Sequence, residues 1–291
     1  MKYYKGNLHT HTDRSDGRKP PEEVLKLYRS MGYDFIALTD HYEFNPSQIT
    51  DDGMLVISGI EYDTGSDSKK GIYHIVALGM QTPAEISAQD KPPAEEIGRA
   101  VKENGGFAML AHPAWSLNKP EEIERINDQI GGFDAVEIYN TVSGLPYSTR
   151  PYSGDVVEQL AQDGYCFKLT AVDDTHYYTG DECKSYIMVR AESLTERGIL
   201  DAVRKGDFYA TQGPEFTYEI KDGVITVRST PVKQIFFNTN AVWTRDRITH
   251  GESVTEASYE IKENDRWLRF EMVDDEGRRA WSSVIDIRNI N

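Results

Sequence analysis

Short apolar runs alternate with segments of helical period through roughly the first two hundred residues. Residues 1–12 read as a first strand, ending at His9 and His11. The segment 20–32 predicts a helix: prolines and acids open it and glycine closes it, while Val24, Leu27, Tyr28 and Met31 fall on one stripe. Phe35-Ile36-Ala37-Leu38 is a continuous apolar run, the pattern of a parallel strand buried on both faces, and it leads into Thr39-Asp40-His41. The alternation goes on. Strands are predicted over 54–60, ending at Glu61; over 72–78, with His74 inside; and over 107–111, ending at His112-Pro113. Further strands are predicted over 135–140, over 167–172, ending at Asp173-Asp174-Thr175-His176, and over 186–189. Helices are predicted over 94–104, 120–130, 154–163 and 195–205.

Such alternation predicts an α/β fold, either a parallel barrel or a doubly wound sheet. Strand after strand ends on His, Asp or Glu, which favours the barrel, because its C-terminal strand ends converge on one mouth. After Gly213-Pro214 the helical period stops. Lys221-Asp222-Gly223-Val224 signals a hairpin. The run from Trp267 to Val273 alternates as a half-buried strand does, and Asp274-Asp275-Glu276-Gly277 reads as a turn. Two domains are expected: an α/β unit over 1–213 and a small antiparallel, sandwich-like β unit over 214–291.

The 291 residues carry a formal net charge of −16. That average field repels a long nucleic acid, yet a small anionic substrate remains compatible where bound cations reverse the local sign. No apolar run reaches membrane-spanning length and no signal peptide is read, so no membrane partner and a cytoplasmic address are expected. Cys166 and Cys183 make no disulfide framework and are expected as reduced thiols. The sequence leaves the oligomeric state open. It has neither a Gly-x-Ser-x-Gly elbow nor a P-loop.

Candidate chemistry starts at His9-Thr10-His11. Residues two apart on a strand share a face, so two imidazoles point the same way, half of a metal site. A strand-end histidine can merely cap a loop. However, six of the seven histidines lie in the first unit. His9, His11, Asp16, His41, Glu61, His74, His112, Asp174 and His176 would all stand near one mouth. So many buried ionisable groups are costly unless cations offset them. Asp174 and His176 share a face; Asp173 points away, toward structural hydrogen bonds. Asp40 is expected to orient an imidazole beside His41. His250 is expected in a solvated loop and Lys168 in the barrel interior. Arg14, Asn140 and Arg150 are candidate substrate contacts, and Tyr177 and Tyr178 could stack on a ring or cover the mouth.

Taken together, His9-Thr10-His11-Thr12, Ser15-Asp16-Gly17, Thr39-Asp40-His41, Gly59-Ile60-Glu61, His74, Ala111-His112-Pro113 and Asp174-Thr175-His176 resemble the PHP (polymerase and histidinol phosphatase) superfamily over residues 3–213. The likeness is greatest to its stand-alone metal-dependent phosphoesterases, including those grouped with the carbaryl-hydrolase-like enzymes. The resemblance implies a distorted (β/α)7 barrel holding two or three divalent metals. His9, His11, Glu61 and Asp174 would hold one; Glu61 would bridge to a second, held also by His74 and His112; Asp16, His41 and His176 would hold a third. Mixed imidazole and carboxylate ligands suit Zn, Mn or Fe. The activity implied is hydrolysis of a small phosphomonoester or short nucleotide by a metal-bridging hydroxide, with His9, His11, Glu61 and Asp174 acting through that hydroxide. The same hydroxide could attack carbonyl carbon, so an ester, carbamate or amide hydrolase is the alternative. A non-catalytic metal-binding module and a nuclease on long polymers stand behind these.

Overall fold

The computed structural model describes residues 1–65, 71–144 and 148–289. The first strands are β1 (Lys2–Asn7), β2 (Phe35–Ala37), β3 (Gln48–Ile49), β4 (Leu55–Ile57), β5 (Gly59–Asp63) and β6 (His74–Leu78). They are followed by β7 (Phe107–Leu110), β8 (Ala135–Asn140), β9 (Leu169–Val172), β10 (Tyr186–Ala191) and β11 (Phe208–Thr211). The helices are α1 (Pro21–Ser30), α2 (Ala94–Glu103), α3 (Pro120–Ile130), α4 (Gly154–Gln162) and α5 (Glu196–Lys205). The last strands are β12 (Phe216–Lys221), β13 (Val224–Thr239), β14 (Ile248–Glu260), β15 (Trp267–Val273), β16 (Arg279–Trp281) and β17 (Ile285–Asp286). No helix among the described residues is long and apolar enough to cross a membrane.

The fold is mixed α/β and contains two sheets. One runs β12-β13-β15-β16-β11-β10-β1-β2-β4-β3, with β14 on β13 and β17 on β15; the other runs β5 to β9 in order. No continuous ladder closes a seven-stranded barrel among the described residues. Single bridges join the two sheets at both edges of the second one, His41 to Glu61 on β5 and Thr10 to Thr175 just past β9. The expected strand over 54–60 breaks at Ser58. Leu55–Ile57 stays parallel to β2, whereas Gly59–Asp63 starts the second sheet. Gly59 makes the crossing possible, since a Cβ there would lie 2.6 Å from the Leu38 carbonyl oxygen.

A second departure concerns β6. It runs antiparallel to both β5 and β7, while β7, β8 and β9 are parallel. His74 is therefore not inside its strand but opens it. A reversed strand brings its first residue to the edge where its neighbours bring their last, so His74 reaches the same rim. The apolar runs are buried as expected: Phe107–Leu110 is covered on both faces, and α3 buries Ile123, Ile126 and Ile130. Lys168 is not in an interior. It precedes β9, half-buried, and a Cβ on Gly206 would lie 3.1 Å from its Nζ.

Past residue 213 the first sheet continues, because β16 pairs with β11 (Ala210 with Trp281, Thr211 with Ala280). The change of sequence texture near 213 thus falls within one sheet. Asp222 and Gly223 both take positive φ, 51° and 75°, and turn β12 into β13 as the two-residue hairpin requires. β15 was expected to be half-buried and is instead buried on both faces up to Met272. Its polar side packs on the first unit: Arg269 donates to Glu158 on α4, to the Tyr152 hydroxyl at 2.7 Å and to Glu271 at 3.1 Å.

Candidate metal centre

The chain beyond β1 carries His9 and His11, both fully buried, to the rim where the two sheets meet. Their Nε2 atoms lie 3.1 Å apart. Each also lies 3.1 Å from Asp174 Oδ1. Glu61, from the middle of β5, sets Oε1 3.3 Å from His9 Nε2 and Oε2 3.2 Å from His11 Nε2. The same carboxylate meets His74 Nδ1 at 3.0 Å and His41 Nδ1 at 3.2 Å. His112 stands further out, its Nε2 3.7 Å from Glu61 and 3.8 Å from Asp174. At the outer side, Asp16 lies 3.4 Å from His11 Nδ1, 3.4 Å from His176 Nε2 and 3.8 Å from His41 Nε2. All nine residues thus converge. Their ligand atoms form three groups that could hold an ion: His9, His11 and Glu61; His41, Glu61 and His74; and His11, Asp16, His41 and His176. His11 therefore touches the outer group as well as the inner one.

The imidazoles are held by what lies behind them. His9 Nδ1 is 2.7 Å from Glu137 Oε1, His176 Nδ1 is 2.7 Å from the Asp174 carbonyl oxygen, and His112 Nδ1 is 3.1 Å from Ser116 Oγ. An acceptor at Nδ1 keeps the proton there and leaves the Nε2 lone pair facing the cluster. Asp174 takes a left-handed φ of 52° at the end of β9, and its backbone N–H donates to the His9 carbonyl at 2.9 Å.

Electrostatics follow from this crowding. Burial works against a charge on His9, but Asp174, Glu61 and Glu137 outweigh it and hold its pKa well above the usual imidazole value. Burial likewise opposes charge on His176, and Asp174 and Asp16 raise it to about 9. Burial would push Glu61 and Asp174 up, yet the surrounding imidazoles hold both carboxyls well below the usual range. Two buried atoms, Asp174 Oδ1 and His41 Nδ1, have no hydrogen-bond partner. Unpartnered donors of this kind, among carboxylate oxygens and lone pairs that face one another, fit divalent cations.

Other sequence expectations land differently. Asp173 points away, as read, and accepts from the backbone N–H groups of Cys183, Lys184 and Ser185 and from the Tyr28 hydroxyl. Asp40 does not orient an imidazole. It ties the loop instead, accepting from Thr12 N–H and hydroxyl, Ser15 and Asn45. Asn140 is buried under the site, donating to Glu137 at 2.9 Å and Asp174 at 3.0 Å, so its amide is engaged with the carboxylates. Arg14 is exposed and donates to Asn45; Arg150 is exposed and donates to the Trp115 carbonyl. Neither lines the cavity of about 380 Å³ that opens over the cluster. Tyr177 does line it, whereas Tyr178 is buried and donates to the His11 carbonyl.

Sequence reasoning missed two residues. Glu137 is fully buried beneath His9, and the available signal was a carboxylate inside the apolar run Ala135–Asn140. Trp115 lines the cavity beside His112 and His74; a loop tryptophan three residues past a strand-end histidine was the cue.

No family model matches the chain. It is 26% identical over 178 residues to the uncharacterized protein MJ1587 of Methanocaldococcus jannaschii, covering 56% of this chain and 96% of that protein. Among solved structures, an amidohydrolase from Chromobacterium violaceum aligns over 60% of this chain and 89% of its own, at 16% identity and a TM-score of 0.43. A two-domain protein of Bacteroides vulgatus aligns over 97% of this chain and 95% of its own, at 18% identity and a TM-score of 0.54. The chain therefore shares its overall fold with a protein that contains a predicted PHP-like metal-dependent phosphoesterase.

Proposed function

We propose that the protein is a metal-dependent phosphoesterase of the PHP type, acting on a small phosphomonoester or short nucleotide. The observation that carries this reading is the meeting of His9 Nε2, His11 Nε2 and Glu61 around an Asp174 oxygen that is buried and lacks a hydrogen-bond partner. The two bridges that join the sheets at this rim support reading the strands as a distorted seven-stranded barrel of that type. The carbaryl-hydrolase-like branch, with two or three Zn, Mn or Fe ions, is part of the same proposal.

Bound divalent ions would supply positive charge that acidifies a water and offsets the charge developing at phosphorus. The chain's own part is to hold that charge in place. His9, His11, Glu61 and Asp174 form the inner donor set, Glu61 shares its second oxygen with His41, and His74 and His112 flank it. Asp16, His41 and His176 make the outer set. Glu137 fixes the His9 tautomer. Asn140 links Glu137 to Asp174 and keeps both carboxylates in register.

The test is phosphate release across a panel of small phosphate esters with Mn, Zn and Fe supplied in turn, beside a panel of aryl esters and carbamates. Turnover confined to phosphate esters and lost in Asp174→Ala supports the proposal. Turnover confined to the carbonyl esters, or none on either panel, rejects it.

A further inference from the structure

We propose, resting on the phosphoesterase reading, that the substrate is an aryl or arylmethyl phosphate whose ring lies against Trp115 and Tyr177, with Trp115 setting the preference. The cavity is lined by the imidazole and carboxylate cluster together with Trp115, Val142, Ser143, Ser148 and Tyr177. Trp115 is 37% exposed. Its ring centroid is 4.9 Å from that of His112 and 6.0 Å from that of His74, with the indole near perpendicular to both. An open aromatic surface thus begins one ring's width from the donors that would receive the phosphoryl group. The group it touches is the one attached to the phosphoryl oxygen.

The indole is placed by a braced loop. Ser116 N–H donates to the His112 carbonyl at 3.1 Å and Asn118 N–H to the Pro113 carbonyl at 3.0 Å. The Asn118 amide reaches the Ile72 carbonyl at 2.6 Å. Arg150, expected from the sequence to touch substrate, instead donates to the Trp115 carbonyl at 3.1 Å and is a positioning residue. Left-handed φ at His112 (29°) and Leu117 (56°) turns the chain tightly on either side. Tyr177, its ring centroid 6.1 Å from that of His176, is held by its N–H to Asp181 at 2.8 Å, and the Arg18 guanidinium lies 4.8 Å from its ring centroid. A flat ring entering this cavity gains edge and face contacts that a saturated ring of equal size lacks.

In the reaction a water oxygen forms the bond to phosphorus and the bond from phosphorus to the leaving oxygen breaks. One proton of the water goes to that oxygen and the other stays on phosphate. Benzyl phosphate and cyclohexylmethyl phosphate each release a primary alkoxide; the difference in alkoxide basicity is common to wild type and Trp115→Leu and absent from phosphonate binding, so the change in ratio reads the ring contact.

The experiment uses the full chain loaded with the metal that supports turnover, and compares kcat/KM for these two esters. Binding of benzylphosphonate and cyclohexylmethylphosphonate is measured beside it by calorimetry. The expected preference for the aromatic member is about threefold to tenfold in both measurements, from the size of an aromatic pair contact. It collapses toward unity in Trp115→Leu through KM and affinity, and is partly kept in Trp115→Phe. A loss of packing around His112 would lower both esters equally, so it would not move the ratio. Equal handling of the two rings by wild type, or an unchanged ratio in Trp115→Leu, overturns the aromatic subsite while leaving the phosphoesterase reading intact. Absence of turnover and of phosphonate binding in metal-loaded protein overturns both.

Discussion

Glu137→Gln isolates the residue beneath the cluster. The carboxylate is fully buried. Oε1 lies 2.7 Å from His9 Nδ1, and Oε2 accepts from His112 N–H at 2.8 Å and from the Asn140 amide at 2.9 Å. Glutamine keeps the shape but has one acceptor where two are needed. If its NH2 turns to His9, Nδ1 must accept, and the imidazole proton moves to Nε2, the atom facing Asp174 and Glu61. If it turns the other way, it confronts the His112 N–H donor, at a cost of about 1–3 kcal/mol for a buried unmet group. The first outcome removes a metal-facing lone pair; the loss of such a partner typically lowers metal affinity about 10–100-fold, or about 1.4–2.7 kcal/mol. Competition against a chromophoric chelator reads the affinity, and a thermal melt of metal-free protein reads the folding cost, a fall of roughly 2–10 °C. Affinity within twofold of wild type, with an unchanged melt, would refute the claim that Glu137 sets the His9 tautomer.

Three further outcomes follow from the packing. Arg269→Ala strips a nearly fully buried guanidinium from between Glu158, Glu271 and Tyr152. It leaves Glu271 buried without its main counter-charge, and a loss of about 3 kcal/mol is expected in urea titration; an unchanged midpoint contradicts it. Gly59→Ala sets a Cβ 2.6 Å from the Leu38 backbone oxygen where the chain crosses between sheets. It should lower stability by about 1–3 kcal/mol and loosen metal binding through Glu61, and full retention of both speaks against the crossover geometry. Burial first, and Asp173 second, push the Cys183 thiol up to about 12. Native protein at pH 8 should therefore alkylate at Cys183 at least a hundredfold more slowly than denatured chain, since the thiolate is the nucleophile; equal rates by mass spectrometry contradict the burial.

How much of this was written in the chain depends on which force placed each residue. His9, His11, His41, His112 and His176 were legible because each stands at or just past the end of an expected strand, and pleat and strand direction carry such residues to one edge. Asp173 and Asp174 were separable by the same pleat. His74 reached the rim for a reason that hydrophobic pattern does not encode: direction of pairing, since parallel and antiparallel buried strands read alike. The break at Ser58 was hidden because one serine and one glycine between Ile57 and Ile60 do not interrupt a run that otherwise reads as a single strand. Arg14, Asn140 and Arg150 were judged by type and loop position, and what decided their fate was the nearest acceptor: Asn45, the Glu137 and Asp174 carboxylates, and the Trp115 carbonyl. The alternation in β15 was read correctly, but solvent exposure of its polar face was not, because Arg269 and Glu271 find partners on α4, on Tyr152 and within the sheet.

The most direct measurement is elemental analysis of untreated protein, repeated after chelation and on Asp174→Ala. Two or more equivalents of Zn, Mn or Fe per chain are predicted in wild type, with Asp174→Ala losing at least one of them. Less than one equivalent in wild type, unrestored by adding each metal to chelated protein, would contradict a cluster built to hold cations.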